Sequence, residues 1–216
     1  MSRARIESAI ALASRHLARK GYELHVETRP VVKGVVIDEF ERERGFPVPD
    51  GLRWFYTRYS DGLNLWFAAR GSLDGEGPEF APFSAIADDD GIRERVETWW
   101  TPEMMGESFP GHTEEADALC RRMMHWIPIL DEGNGDQLCV DASVPEGPIV
   151  SHQHDWTVGR ERPDNGFVVA AGILELLEDW SRVCFSNPRS LGWKAFKEAG
   201  RLEWTGEYFE DRFVVR

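Results

Sequence analysis

Apolar and polar positions along this 216-residue chain fall first into a helical period. Ile6, Ala9, Ile10, Ala13 and Leu17 recur every three or four residues with Arg and Lys opposite, so residues 3–20 predict an amphipathic helix that Gly21 ends. Val32, Val36 and Phe40 share a second stripe, running from about Val32 to Arg44 and stopping at the breaker segment Gly45-Phe46-Pro47-Val48-Pro49. Asp50 is suited to cap a third helix, since its carboxylate can accept backbone N–H bonds. Leu52, Phe55, Tyr56 and Tyr59 give that helix an apolar face up to Asp61-Gly62.

The period then shortens. Leu63 to Ala69 reads as a buried strand, and the glycine-rich run from Gly71 to Pro78 as an exposed loop. Across 84–125, acidic runs such as Asp88-Asp89-Asp90 alternate with Trp99-Trp100, which predicts surface helices and loops, including a helix near Glu114 to Met124. Trp126 to Leu130 and Gln137 to Asp141 are strand-like on either side of the turn residues Asp131 to Asp136, so they predict an antiparallel hairpin with Val150 extending the sheet. Pro128 lacks an N–H for the ladder and makes the first of these strands either an edge or a bulged one. Val168 to Val183 predicts an apolar helix over one sheet face, followed by a helix about Leu191 to Ala199 and a strand at Phe213 to Val215. The expected fold class is α+β: a largely antiparallel central sheet with N-terminal helices and a C-terminal helix packed around it, in one domain over 1–216.

Charge narrows the function. The formal charge is −13, and residues 61–180 carry 25 Asp and Glu against 7 Lys and Arg while both flanks are mildly basic. Such a field repels phosphate backbones and attracts basic proteins, which argues for a basic protein partner and against nucleic acid. No stretch approaches ~18 consecutive apolar residues, so no membrane insertion is expected. The start of the chain lacks a signal-peptide core, and three widely spaced cysteines, Cys120, Cys139 and Cys184, suit reduced thiols in a cytoplasmic protein.

Several residue groups invite chemistry without completing it. His152 and His154 share a strand face near Asp155, Asp136 and Asp141, yet no metal-binding helix or paired cysteine motif accompanies them. Asp131, Asn134 and Asp136 lack the register of a calcium loop, and Gly133-Asn134-Gly135 has Leu138 where a dinucleotide fingerprint needs a third glycine. Cys139 with His152, His154 and Asp141 permits nucleophilic catalysis, but Cys139 alternates with core residues. No metal or organic cofactor is therefore expected. Trp99, Trp100 and Trp156 lie beside polar loops and are candidates for an exposed contact surface.

Two blocks resemble the SUKH superfamily, which includes the fungal cell-wall assembly regulator and many bacterial immunity proteins. The first is Ile37-Asp38-Glu39-Phe40-Glu41 with Gly45, Pro49, the Leu52 to Tyr59 helix and Asp61-Gly62; the second is Trp126-Ile127-Pro128-Ile129, Gly135-Asp136, Val140-Asp141, Gly147-Pro148-Ile149-Val150 and His154-Asp155. The signature region spans about 33–183, with an insertion at 84–125 and a C-terminal extension at 184–216. Val48 stands where the superfamily usually has Leu before Pro49.

The resemblance implies a protein-binding module with no catalytic apparatus, most readily an immunity-type protein that neutralises a cognate toxin, such as a secreted nuclease. A cytoplasmic regulatory adaptor and an enzyme using Cys139 or the His152/His154 pair are the alternatives. The expected docking residues are Asp88, Asp89, Asp90, Trp99, Trp100, Asp131, Glu132, Asp136, Asp155 and Trp156.

Overall fold

The computed structural model describes residues 2–72, 78–98, 100, 101, 103, 104, 107, 111, 113–132, 135–154 and 165–186. Helix α1 (Arg3–Arg19) buries Ile6, Ala9, Ala13 and Leu17, and Gly21 then takes the left-handed backbone that turns the chain into strand β1 (Tyr22–Thr28). The alternation of Tyr22, Leu24 and Val26 with Glu23, His25 and Glu27 marks this strand, which is an addition to the elements expected from sequence.

Helix α2 (Gly34–Arg44) buries Ile37 and Phe40, whereas Val36 faces solvent. The expected Val36 stripe is thus rotated by one residue, because Ile37 and Phe40 together fill the core where Phe40 meets Phe46 and Phe83. Helix α3 (Asp50–Trp54) is entered through Pro49 at φ −53°, ψ 141°, with no side-chain cap. Asp50 is therefore its first helical residue and acts on the helix dipole rather than as the expected cap. The helix widens into a π-helical turn, Phe55–Tyr59, that buries all three of its aromatic side chains.

Strands β2 (Leu63–Ala69), β3 (Glu79–Phe80), β4 (Trp126–Asp131), β5 (Gln137–Asp141), β6 (Ile149–His152) and β7 (Val168–Ala170) join β1 in a seven-stranded sheet whose spatial order equals its chain order. Every neighbouring pair is antiparallel. The expected hairpin is present, with Trp126 opposite Asp141, and β6 extends it with Val150 opposite Cys139. Pro128 lies in an interior strand, and the register shifts between Pro128 and Leu130. This is the bulged alternative, which lets the sheet absorb a residue without an N–H.

Residues 168–170 are a strand, and the C-terminal helix α7 (Ile173–Ser181) begins only after Gly172. The expected helix from Val168 was too long because Val168-Val169 favours extended backbone and Gly172 interrupts the helical run. From Ile173 onward the helix covers the sheet as expected, with Trp180 against Phe80 and Glu178 accepting from Nε and Nη2 of Arg5 at 2.7 and 2.6 Å.

One sheet face and helices α1, α2, α3 and α7, with Phe83 and Ile86, enclose the main core. Among the described residues the opposite face is covered along β4 to β6. Helices α4 (Phe83–Asp88), α5 (Gly91–Thr98) and α6 (Thr113–Met123) come from the stretch read as a surface insertion. Ile92 and Val96 of α5 and Ala116, Leu119, Cys120 and Met123 of α6 pack on Trp126, Cys139 and Val150 as a second core. The expectation of surface elements needs this correction: both helices carry an apolar stripe narrower than their charged faces. The expected helix and strand at 191–199 and 213–215, and most of the glycine-rich loop, lie outside the described residues.

Candidate protein-binding surface

Most carboxylates in the motif blocks are committed to the fold. Glu41 accepts the Val48 N–H at 2.7 Å and binds Arg53 at 2.7 Å, while Asp38 takes the other arm of that guanidinium at 2.8 Å. Asp61 accepts the Phe83 N–H at 2.7 Å at the start of α4. Its neighbour Gly62 must be glycine, since a Cβ there would sit 2.8 Å from the Phe80 carbonyl at φ +91°. Asp141 is fully buried: one oxygen takes Arg122 Nε and Nη2 at 3.0 and 2.6 Å, and the other accepts the Ser143 N–H and hydroxyl. Asp136 accepts the His154 N–H and pairs with its Nδ1, both at 2.9 Å.

The two motif blocks also touch. Gly147 (φ +61°) lies so close to Pro49 that an added Cβ would stand 2.5 Å from the proline Cβ. Glycine in one block and proline in the other are therefore two halves of a single packing contact.

The catalytic candidates sit in environments that suppress reactivity. Cys139 is fully buried, and burial, aided by Asp89, Glu132 and Asp141, holds its thiol well above the ordinary range. Burial likewise pushes Cys120 up to about 11 and Cys184 up to about 12. These thiols are protonated at neutral pH, and a protonated thiol is a poor nucleophile. His152 is 1% exposed and belongs to β6. Burial, with help from Arg95, lowers it to about 3, so the imidazole is neutral. Neither of its ring nitrogens, nor Trp126 Nε1, has a hydrogen-bond partner among the described residues. Its ring packs instead against Trp100 at 5.4 Å and Trp126 at 6.3 Å. No group of three or more His, Cys, Asp or Glu among the described residues is arranged to hold a metal ion.

The docking candidates of the Asp88–Asp90 run border an acidic cleft. Arg44, its side chain only 9% exposed, pairs with Asp90 and donates to the carbonyls of Ala87 at 2.8 Å and Asp89 at 3.3 Å, which closes the C-terminal end of α4. Beside it opens a cleft of about 480 Å³ between the end of α2 and α5, lined by Glu43, Arg44, Ala87, Asp90, Arg93, Glu94 and Glu97. Four carboxylates there face two guanidiniums, one of them already spent on α4.

Asp88 is exposed next to this cleft. Asp89 accepts the Gly91 N–H at 2.8 Å and lies 3.5 Å from Gln137 Nε2, and Gln137 is the cross-strand neighbour of Asp131. The Asp88–Asp90 run is thereby joined to the turn that carries Asp131, Glu132 and Asp136. Trp100 is half-buried on the second core, and Cys120 donates its S–H to the Trp100 carbonyl. Trp99, Asp155 and Trp156 lie outside the described residues. Glu43, Glu94 and Glu97 were missed, although Glu94 and Glu97 at i, i+3 spacing on a helical α5 are the signal that would have found them.

Among the described residues no helix is long and apolar enough to cross a membrane. No curated protein matches the chain. The model of the SMI1 / KNR4 family (SUKH-1) matches residues 32–179, from the approach to α2 through almost all of α7. The match takes in both motif blocks, the contact between Gly147 and Pro49 and the acidic cleft, and by it the chain belongs to the SMI1 / KNR4 family (SUKH-1).

Proposed function

We propose that this protein is a non-enzymatic binding module of the immunity type, which neutralises a basic protein, such as a nuclease toxin, by docking it on the acidic surface. The carrying observation is the cleft of Glu43, Asp90, Glu94 and Glu97, continued by Asp88 and the turn acids. A nuclease presents cationic side chains where it holds phosphate, and a carboxylate-lined cleft offers those side chains the same charge in another form. Complementary fields of this kind mainly accelerate encounter and select partners.

The test is stopped-flow association with the basic protein recovered on the chain from its own cell. Raising ionic strength from about 0.05 to 0.5 M shortens the screening length several-fold and should cut the association rate by about tenfold or more, with a much smaller change in dissociation. The triple replacement Asp88→Lys, Glu94→Lys, Glu97→Lys should do the same at low salt. An acidic partner, or an association rate indifferent to salt, would refute the reading. Co-expression separates immunity from a regulatory adaptor: an immunity protein restores growth to cells making the partner, whereas an adaptor leaves its partner's activity in place.

A further inference from the structure

Strand β1 lies at one end of the sheet, N-terminal to the family match, and among the described residues no strand pairs with its outer edge. Two ladder bonds fix which of its backbone groups face outward. The Arg70 N–H donates to the Gly21 carbonyl at 3.0 Å, and on the other side of β2 the Leu65 N–H donates to the Pro78 carbonyl at 3.0 Å. Both set the same parity: Glu23, His25 and Glu27 exchange bonds with Ala68, Trp66 and Asn64, so the N–H and C=O groups of Leu24, Val26 and Thr28 point away from the sheet.

The side chains along this edge are sorted by face. Leu24 is half-buried beside the main core, and Val26, 38% exposed, continues the apolar row on that side. Val31, Val35 and Val36 are also exposed, so four of the six exposed large apolar side chains among the described residues fall between positions 26 and 36. On the other face Glu23 and Glu27 flank His25, which stacks on Trp66 at 5.0 Å, and Glu79 lies on the same face. Arg70 reaches Glu23 at 3.2 Å and Arg29 reaches Glu79 at 2.8 Å, which leaves the strand's own charge acidic.

These acids decide what can occupy the edge. If a second copy paired antiparallel to β1 at full overlap, Glu23 of each strand would lie opposite Glu27 of the other, and like charges directly opposite destabilise a strand pair. The same acids favour a strand with Lys or Arg on that face, while the valine side favours β-branched residues on the alternate positions. We propose that the outer edge of β1 takes up an extended segment of another protein, with basic and β-branched residues alternating, as an added strand. This site is separate from the acidic cleft and stands or falls independently of it.

The probe is an N-acetylated heptapeptide alternating Lys and Val, titrated into the full chain with amide exchange read by NMR. Bound peptide should slow exchange at Leu24, Val26 and Thr28, and a peptide with Glu in place of Lys should not bind. Val26→Pro removes only an outward N–H, a change an edge strand tolerates, and should weaken binding by about tenfold while the melting temperature stays close to that of the parent. Glu23→Lys with Glu27→Lys should weaken the Lys peptide by a similar factor and admit the Glu peptide; this double variant decides the question if the proline variant does not fold. Glu94→Lys with Glu97→Lys should leave peptide binding unchanged. The inference is overturned if the peptide does not bind, if protection appears away from β1, if the Glu peptide binds the parent equally well, or if the cleft variant abolishes binding.

Discussion

Asp141 shows how a residue that looks available for chemistry can be fully used by the fold. Its carboxylate is buried and accepts four hydrogen bonds, two from Arg122 and two from Ser143. Removing it strands those donors, although Arg122 is 41% exposed and can recover water, so the cost falls short of that for a wholly buried pair. Asp141→Ala should lower stability by about 2 kcal/mol and Asp141→Asn by less, read as a shift of the urea midpoint at constant m. From sequence this aspartate is only a possible metal ligand or triad member. Residue type announces a carboxylate, but nothing in the local sequence reveals that Arg122, 19 positions earlier, will arrive on a helix to claim it. Much the same holds for Asp136, a docking candidate by its charge yet bonded to the His154 backbone and ring.

At the scale of elements, the hairpin of β4 and β5 was legible because two short apolar runs flank a turn-rich hinge, and the bulge at Pro128 is one of the two outcomes, edge or bulge, that proline's missing donor allows. Helices α5 and α6 were legible only as surface. Their buried residues are few and set among Glu and Arg, so the local pattern does not disclose that the sheet face beneath them is itself apolar. His152 lies under this second layer, and its titration tests how firmly the layer is held. Its folded-state value near 3 is below the ordinary histidine value of 6.5, so the unfolded chain takes the proton first. The contribution is complete above about pH 6.5 and is lost progressively as pH falls toward 3, with the loss reaching about 2 kcal/mol by pH 5. His152→Phe should flatten the fall in urea midpoint between pH 7 and pH 5. An unchanged pH slope would mean that the imidazole reaches water, and that the layer opens around it.

Across the whole molecule the sheet is protected unequally. Among the described residues, strands β4 to β6 carry a core on each face, whereas β1 has one packed face and an outer edge that no strand joins. Native-state hydrogen exchange should therefore find the highest opening free energies at Cys139, Val140 and Val150, and markedly lower ones at Glu23, His25 and Glu27, whose amides bond to β2. Equal protection at both ends would show that the sheet opens only as a unit. The acidic surface was partly legible at this scale, since the charge imbalance of the middle segment located its sign. Its shape was not, because the cleft needs the end of α2 brought against α5, and no local pattern encodes that meeting. The sheet's spatial order, identical to its order along the chain, bears on synthesis at the ribosome. Each strand that emerges finds its only earlier neighbour already made, so the sheet can grow in one direction and no strand waits for a partner still to be translated except at the growing margin. Of the seven described strands β1 leaves the ribosome before the others, and none of the six that follow takes its outer side, the side proposed above to accept a segment of another polypeptide.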